Sequence, residues 1–134
     1  MLGAHATSAL VVPELTRILG GKGEDELRSE AAEWLAYHPD STALAALDRA
    51  ARHDRSGEVR REAAEAVSEM RFAPAFDVLR ALARELEDSE ARCEAVEGFA
   101  ERSEPGAAAV LEDIANNDAD VEIQREAVET LGEL

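Results

Sequence analysis

Three histidines, one cysteine and thirty carboxylates are the side chains of this sequence that could do chemistry. A helical metal site of the His-Glu-x-x-His kind places a glutamate directly after a histidine and a second histidine one turn further on, so that the two histidines face one ion. His5, His38 and His53 are followed by Ala6, Pro39 and Asp54, and no two histidines stand four residues apart. No metal is expected. Cys93 is the single cysteine, which rules out an intramolecular disulfide and a cysteine-rich zinc site. Arg92 precedes it and Glu90 and Glu94 lie near, so nothing clearly stabilises a thiolate. Glu30 and Glu33 have the spacing of an acid/base pair, but the same pair recurs three more times down the chain. A recurrent pair reads as a solvated helix face rather than as one active site. No catalytic residue and no cofactor are assigned.

Charge narrows the partners. The formal net charge is −16, so the field of the whole molecule repels phosphate backbones and anionic lipid, and neither nucleic acid nor a membrane is an expected partner. The apolar run Ala9 to Val12 is too short for a span, and the first twelve residues lack the Lys or Arg that heads a secretory signal. A cytoplasmic location is the expectation. With 46% apolar residues, mostly alanine, and only 4% aromatics, the composition is that of closely packed helices. The fold class is all-α.

The elements that would position any site come from self-comparison. "ELRSEAAEWLAYH" from Glu26, "EVRREAAEAVSEM" from Glu58, "EARCEAVEGFAER" from Glu90 and "EIQREAVETLGEL" from Glu122 follow one another at a spacing of 32 residues without a gap. Each is an amphipathic helix, helix A. Its buried stripe is formed by the columns Leu27/Val59/Ala91/Ile123, Ala31/Ala63/Ala95/Ala127 and Leu35/Val67/Phe99/Leu131, at steps of four. A second helix, B, carries Ala43/Ala75/Ala107, Leu47/Leu79/Leu111, Ala50/Leu82/Ile114 and Ala51/Ala83/Ala115. Pro39, Pro74 and Pro105 break the A-to-B connections, and Ser56, Asp88 and Asp120 stand where the next helix A needs an N-cap. One further shift places Val11, Leu15, Ile18 and Leu19 on the helix B columns. The organisation is therefore a half-unit B over 8–21, units over 24–53, 56–86 and 88–117, and a half-unit A over 120–134.

Tandem helix pairs with "VRREAAEAV" at Val59 to Val67 and "IQREAVETL" at Ile123 to Leu131, and the weaker "LRSEAAEWL" and "ARCEAVEGF", resemble HEAT repeats, most closely the short bacterial type called the phycobilisome-lyase HEAT-like repeat. The resemblance implies a right-handed α-solenoid of about eight helices with helix A on the convex side and helix B on the concave side. Gln124 departs from the column of Arg28, Arg60 and Arg92. The lyases of this type act on bilins and the DNA glycosylases built of similar repeats present basic, aromatic inner faces. No site motif of either is present here, and the single Trp34 and Tyr37 fall on the acidic helix A, with Trp34 expected to cover the seam to the N-terminal half-unit.

Two surfaces remain as candidates. Arg17, Arg49, Arg52, Arg80 and Arg84 fall on exposed helix B positions and would form one ridge for an acidic protein or peptide, unless Asp48, Asp77 and Glu85 pair with them internally. Val12, Leu15 and Leu19 at one end, and Val128 and Leu131 at the other, would be left uncovered, giving self-association or marking a segment cut from a longer array. The leading expectation is a non-catalytic interaction or scaffold module presenting helix B. A bilin-lyase-like enzyme or accessory factor, or a structural segment of a longer array, is the alternative.

Overall fold

The structure is a computed structural model that describes the backbone from residue 4 and the side chains from residue 9 to the end of the chain. Among the described residues there are eight α-helices and one short 3-10 turn: α1 (Ala4–Leu19), α2 (Asp25–Leu35), α3 (Ser41–His53), α4 (Gly57–Glu69), α5 (Ala73–Glu85), α6 (Ser89–Glu97), the turn Gly98–Glu101, α7 (Ala107–Asn117) and α8 (Val121–Glu133). The even-numbered helices are the A helices and the odd-numbered ones the B helices. They form two layers. Helix α4 packs on α2 and α6, and α6 on α8, while α1, α3 and α5 stack less extensively in the other layer. The alanine column explains the difference. Ala31, Ala63, Ala95 and Ala127 are all buried, and a methyl side chain lets the next A helix come close.

The helix starts follow the sequence signals. Ser56 Oγ accepts the Val59 N–H, Asp88 accepts those of Glu90 and Ala91, and Asp120 accepts that of Glu122. Asp40 caps α3 in the same manner. These acceptors satisfy donors that a helix N-terminus otherwise leaves open.

Several expectations are corrected at the ends of the row. Helix α1 begins at Ala4, ahead of the half-unit start at position 8. Leu27 belongs to the repeated apolar column yet is 59% exposed, because α2 is the first A helix and has no A neighbour on that side. Val12 and Leu19, expected to be uncovered, are buried in the core, and Leu15 is partly buried against it. A lone helix B is covered from the side by α2 and α3. Trp34 does not close the seam. It is 52% exposed and packs at a tilt on Tyr37, ring centroids 5.6 Å apart.

The third unit is built differently from the others. A Cβ added to Gly98 would lie 2.3 Å from the Cβ of Ser68, so α4 and the end of α6 approach as closely as only glycine allows. Helix α6 gives way to the 3-10 turn at that point. Arg102, just beyond it, donates to the carbonyls of Met70, Ser68 and Phe72 and pairs with Glu104.

Candidate functional surfaces

The arginine column of helix A holds the units together. Arg28 is fully buried, and its guanidinium donates to both carboxylate oxygens of Asp54 at 3.0 and 3.1 Å, to Asp25 at 3.1 Å and to the Gly23 carbonyl. Arg60 pairs with Asp88 at 2.7 Å and donates to the Asp54 carbonyl, and Arg92 pairs with Asp118 and donates to the Ala83 carbonyl. Gln124 keeps only the last part of this pattern, donating to the Ala115 carbonyl at 3.1 Å. Burial opposes a charge on Asp54, but Arg28 and the Ser56 N–H outweigh it and hold its carboxyl below the usual range. The recurrence of Arg at one column was the sequence signal for this clamp; its partners lie too far along the chain to be read from local spacing.

The helix B arginines are mostly spent on neighbours. Arg17 pairs with Glu14, Arg80 with Asp77 at 2.7 Å, and Arg84 with Asp113 at 3.0 Å. Arg52 joins Asp48 and Glu85, both at 2.9 Å. Arg80 also lies over the Phe76 ring, 5.7 Å from its centroid. Of the five, only Arg49 has no carboxylate partner among the described residues. The internal pairing weighed against a free ridge is therefore present at four of the five positions.

The A-helix surface has the opposite character. The 32-residue register brings the second glutamate of one A helix against the first of the next, as Glu33 against Glu62, Glu65 against Glu94, and Glu97 against Glu126. Burial, and then the charges of Glu65, Glu33 and Glu69, push Glu62 up to about 7. Burial, and then Glu97, Glu129 and Glu133, push Glu126 up to about 7. Glu69 and Glu94 are raised for the same reasons. Across α2, α4 and α6, Glu30, Glu33, Glu62, Glu65 and Glu94 line an open cleft of about 490 Å³ whose one basic residue is Arg61, itself paired with Glu90.

Cys93 is half-buried, and burial together with Glu126, Asp120, Glu122 and Glu94 pushes its thiol above the ordinary range, which disfavours the nucleophilic thiolate. No group of three or more His, Cys, Asp or Glu among the described residues could hold a metal ion, and the His5 side chain lies outside the described residues. None of the described helices is long and apolar enough to cross a membrane. At the C-terminal end Val128 is 58% exposed and Leu131 partly buried, with Val121 and Leu134 also exposed. Ile123, Ala127 and Thr130 form the buried stripe of α8 instead. At the N-terminal end the exposed apolar residues are Leu10 and Leu27.

Comparison with known proteins places this architecture. The family model for HEAT repeats matches residues 12–92, more than half of the chain. No curated protein matches. Among solved structures, the complex of CpcE and CpcF of phycocyanin lyase from Nostoc sp. PCC7120 contains a chain of similar fold, with a TM-score of 0.63 and 19% identity, covering 95% of this chain and 88% of that one. With a buried column repeating in every unit, two layers of antiparallel helices and this match, the chain belongs to the HEAT-repeat family.

Proposed function

We propose that the protein is a non-catalytic protein-binding module that receives a basic segment of its partner on the A-helix surface. The observation that carries this reading is the row of crowded A-helix carboxylates, among them Glu33, Glu62, Glu65, Glu97 and Glu126, in a chain whose helix B arginines are largely consumed by internal pairs. Carboxylates pressed against one another destabilise the free protein, and a lysine- or arginine-bearing partner relieves that repulsion on binding. The polarity of the expected partner is thereby reversed. An acidic partner on helix B would have to break the pairs of Arg17, Arg52, Arg80 and Arg84, leaving Arg49 as the ready contact. Fluorescence anisotropy with a lysine-rich peptide tests the reading. Binding should be saturable and should weaken steeply between about 50 and 500 mM salt, since the pairing charges are exposed. Absence of binding at low salt would remove it.

A second reading, an accessory subunit of the lyase kind, is supported by the likeness to one chain of the phycocyanin lyase complex over nearly its whole length. It would use the exposed ends, with Leu10 and Leu27 or Val121, Val128 and Leu134 meeting another chain. Bilin retained on the purified protein would favour it.

A further inference from the structure

We propose that the cleft between the C-terminal ends of α1 and α3 is a binding site for a carboxylate carried on an apolar body. The cleft measures about 240 Å³ and is lined by Thr16, Leu19, Gly20, Gly21, Ala46, Arg49, Ala50, His53, Asp54 and Arg55. Of the arginines in the chain, those without a carboxylate partner among the described residues are Arg49, Arg55 and Arg71, and two of these three meet here. In a molecule of net charge −16 that pairs nearly every other guanidinium, two without an ion-pair contact in one cleft form a local site of the opposite sign.

Asp54, the one acid lining the cleft, feels the charge of Arg55 but is committed to Arg28. Both of its carboxylate oxygens are taken by Arg28, and one also accepts the Ser56 N–H. The Gly23 carbonyl, to which Arg55 donates at 3.2 Å, is shared with Arg28 and carries no full charge. The partial negative charge of the two helix ends is about half a unit each, so two guanidinium groups exceed it.

An independent observation points to the same place. Thr16 Oγ1 is the buried side-chain polar atom left without a hydrogen-bond partner among the described residues. A buried hydroxyl in that state costs free energy until an acceptor arrives. Thr16 itself lines the cleft. Leu19, Ala46 and Ala50 give the other wall an aliphatic surface, which a bare inorganic anion would leave unused. The fitting ligand therefore has a carboxylate for the two guanidinium groups and the hydroxyl, and a short hydrocarbon body for the leucine and alanines. It is either a free organic acid or an acidic side chain of a bound protein. The site lies in the helix B layer and does not depend on the acidic A-helix surface.

Titration of the uniformly labelled protein by NMR separates these cases, with hexanoate, hexylammonium, inorganic phosphate and the capped tripeptide acetyl-Ala-Glu-Ala-amide as probes. Saturable shifts at Gly20, Gly21, Ala46 and the Arg49 and Arg55 side chains with hexanoate or with the tripeptide, and none with hexylammonium, support the site. The tighter of the two names the source as a free acid or a protein side chain. Arg49→Gln with Arg55→Gln should weaken binding by at least about tenfold, the effect of one lost charge-assisted contact. Both arginines are exposed, and unchanged helicity checks the fold of the variant. Thr16→Val, equal in shape, should weaken it less. Equal shifts with hexylammonium, unaltered binding to the double variant, no response to either carboxylate, or phosphate binding as tightly as hexanoate would each overturn the proposal.

Discussion

Replacing Arg28 by methionine isolates the clamp that joins the two helices of the first unit. Methionine retains much of the volume of the arginine stem, so the change removes the guanidinium while limiting the cavity. What remains is the Asp54 carboxylate, whose side chain is only 7% exposed, with the Ser56 N–H as its surviving donor, and a Gly23 carbonyl that keeps Arg55. Breaking a buried ion pair from one side costs about 3–5 kcal/mol. For a chain of 134 residues the entropy of unfolding is roughly 0.3 kcal/mol/K, so the midpoint should fall by roughly 10–18 °C. The assay is urea unfolding followed by circular dichroism, with thermal melts alongside. Adding Asp54→Asn, which retains an acceptor for the Ser56 N–H, should recover part of the loss by removing the stranded charge. The pH dependence supplies a second sign. In the wild type the folded-state pKa of Asp54 lies below its unfolded value near 3.8, so its stabilisation is present above that value and is lost as pH falls through the folded one. In Arg28→Met burial is opposed only by the Ser56 N–H and the charge of Arg55, so the Asp54 carboxylate is far less favoured and the stability gap to the wild type should narrow below about pH 4. A loss under about 1 kcal/mol, or a double variant weaker than Arg28→Met, would refute the reasoning.

Three further outcomes follow from the packing and the charges. Gly98→Ala should destabilise by about 1–3 kcal/mol through overpacking against Ser68, and Ser68→Gly in the same chain should restore most of it; an unchanged urea midpoint in Gly98→Ala would contradict the close approach. Glu62 and Glu126 have folded-state values of about 7, above the unfolded 4.5, so their charged forms disfavour folding: the melting temperature should rise as pH is lowered from 8 to about 5, and Glu62→Gln with Glu126→Gln should flatten that rise. Sedimentation should show association that depends on concentration and is reduced by Val128→Glu, an exposed position whose change leaves the core of α8 intact; Leu131→Glu, partly buried, should instead cost stability.

The repeat made the interior legible. The columns Ala63, Ala95 and Ala127, or Leu47, Leu79 and Leu111, are buried wherever a neighbour exists, because a 32-residue period puts the same side chain at the same contact in every unit. Leu27 and Val128 escaped that logic since the burial of a column depends on the neighbouring helix, and each end of the row lacks one. On the helix B surface the sequence left two readings open, a free arginine ridge or internal pairs with Asp48, Asp77 and Glu85, and the pairs are present. Arg80 and Asp77, or Arg52 and Asp48, are one helical turn apart and pair within their helix, while Arg84 reaches Asp113 and Arg52 reaches Glu85 in the adjoining B helix. Glu14 and Asp113 complete the pairing, the second reaching Arg84 only because the B helices stack. The acidic rungs were open to the same argument in reverse: a period of 32 with glutamates at two columns three apart sets like charges against each other across every A–A contact. Gly98 and Arg102 break the repeat pattern, and their roles emerge only from the contact with α4.

The binding surface can be tested at matched net charge. One variant carries glutamine at Glu30, Glu62, Glu94 and Glu126 on the A helices, and the other carries amides at Glu14, Asp77, Glu85 and Glu112 on the B helices, so that each has four carboxylates fewer than the wild type. Anisotropy of one lysine-rich peptide against both, at the same ionic strength and at pH 9, where Glu62 and Glu126 are ionised, compares place rather than total charge. The A-helix variant should bind at least about tenfold more weakly than the B-helix variant. Equal affinities, or a greater loss in the B-helix variant, would contradict that.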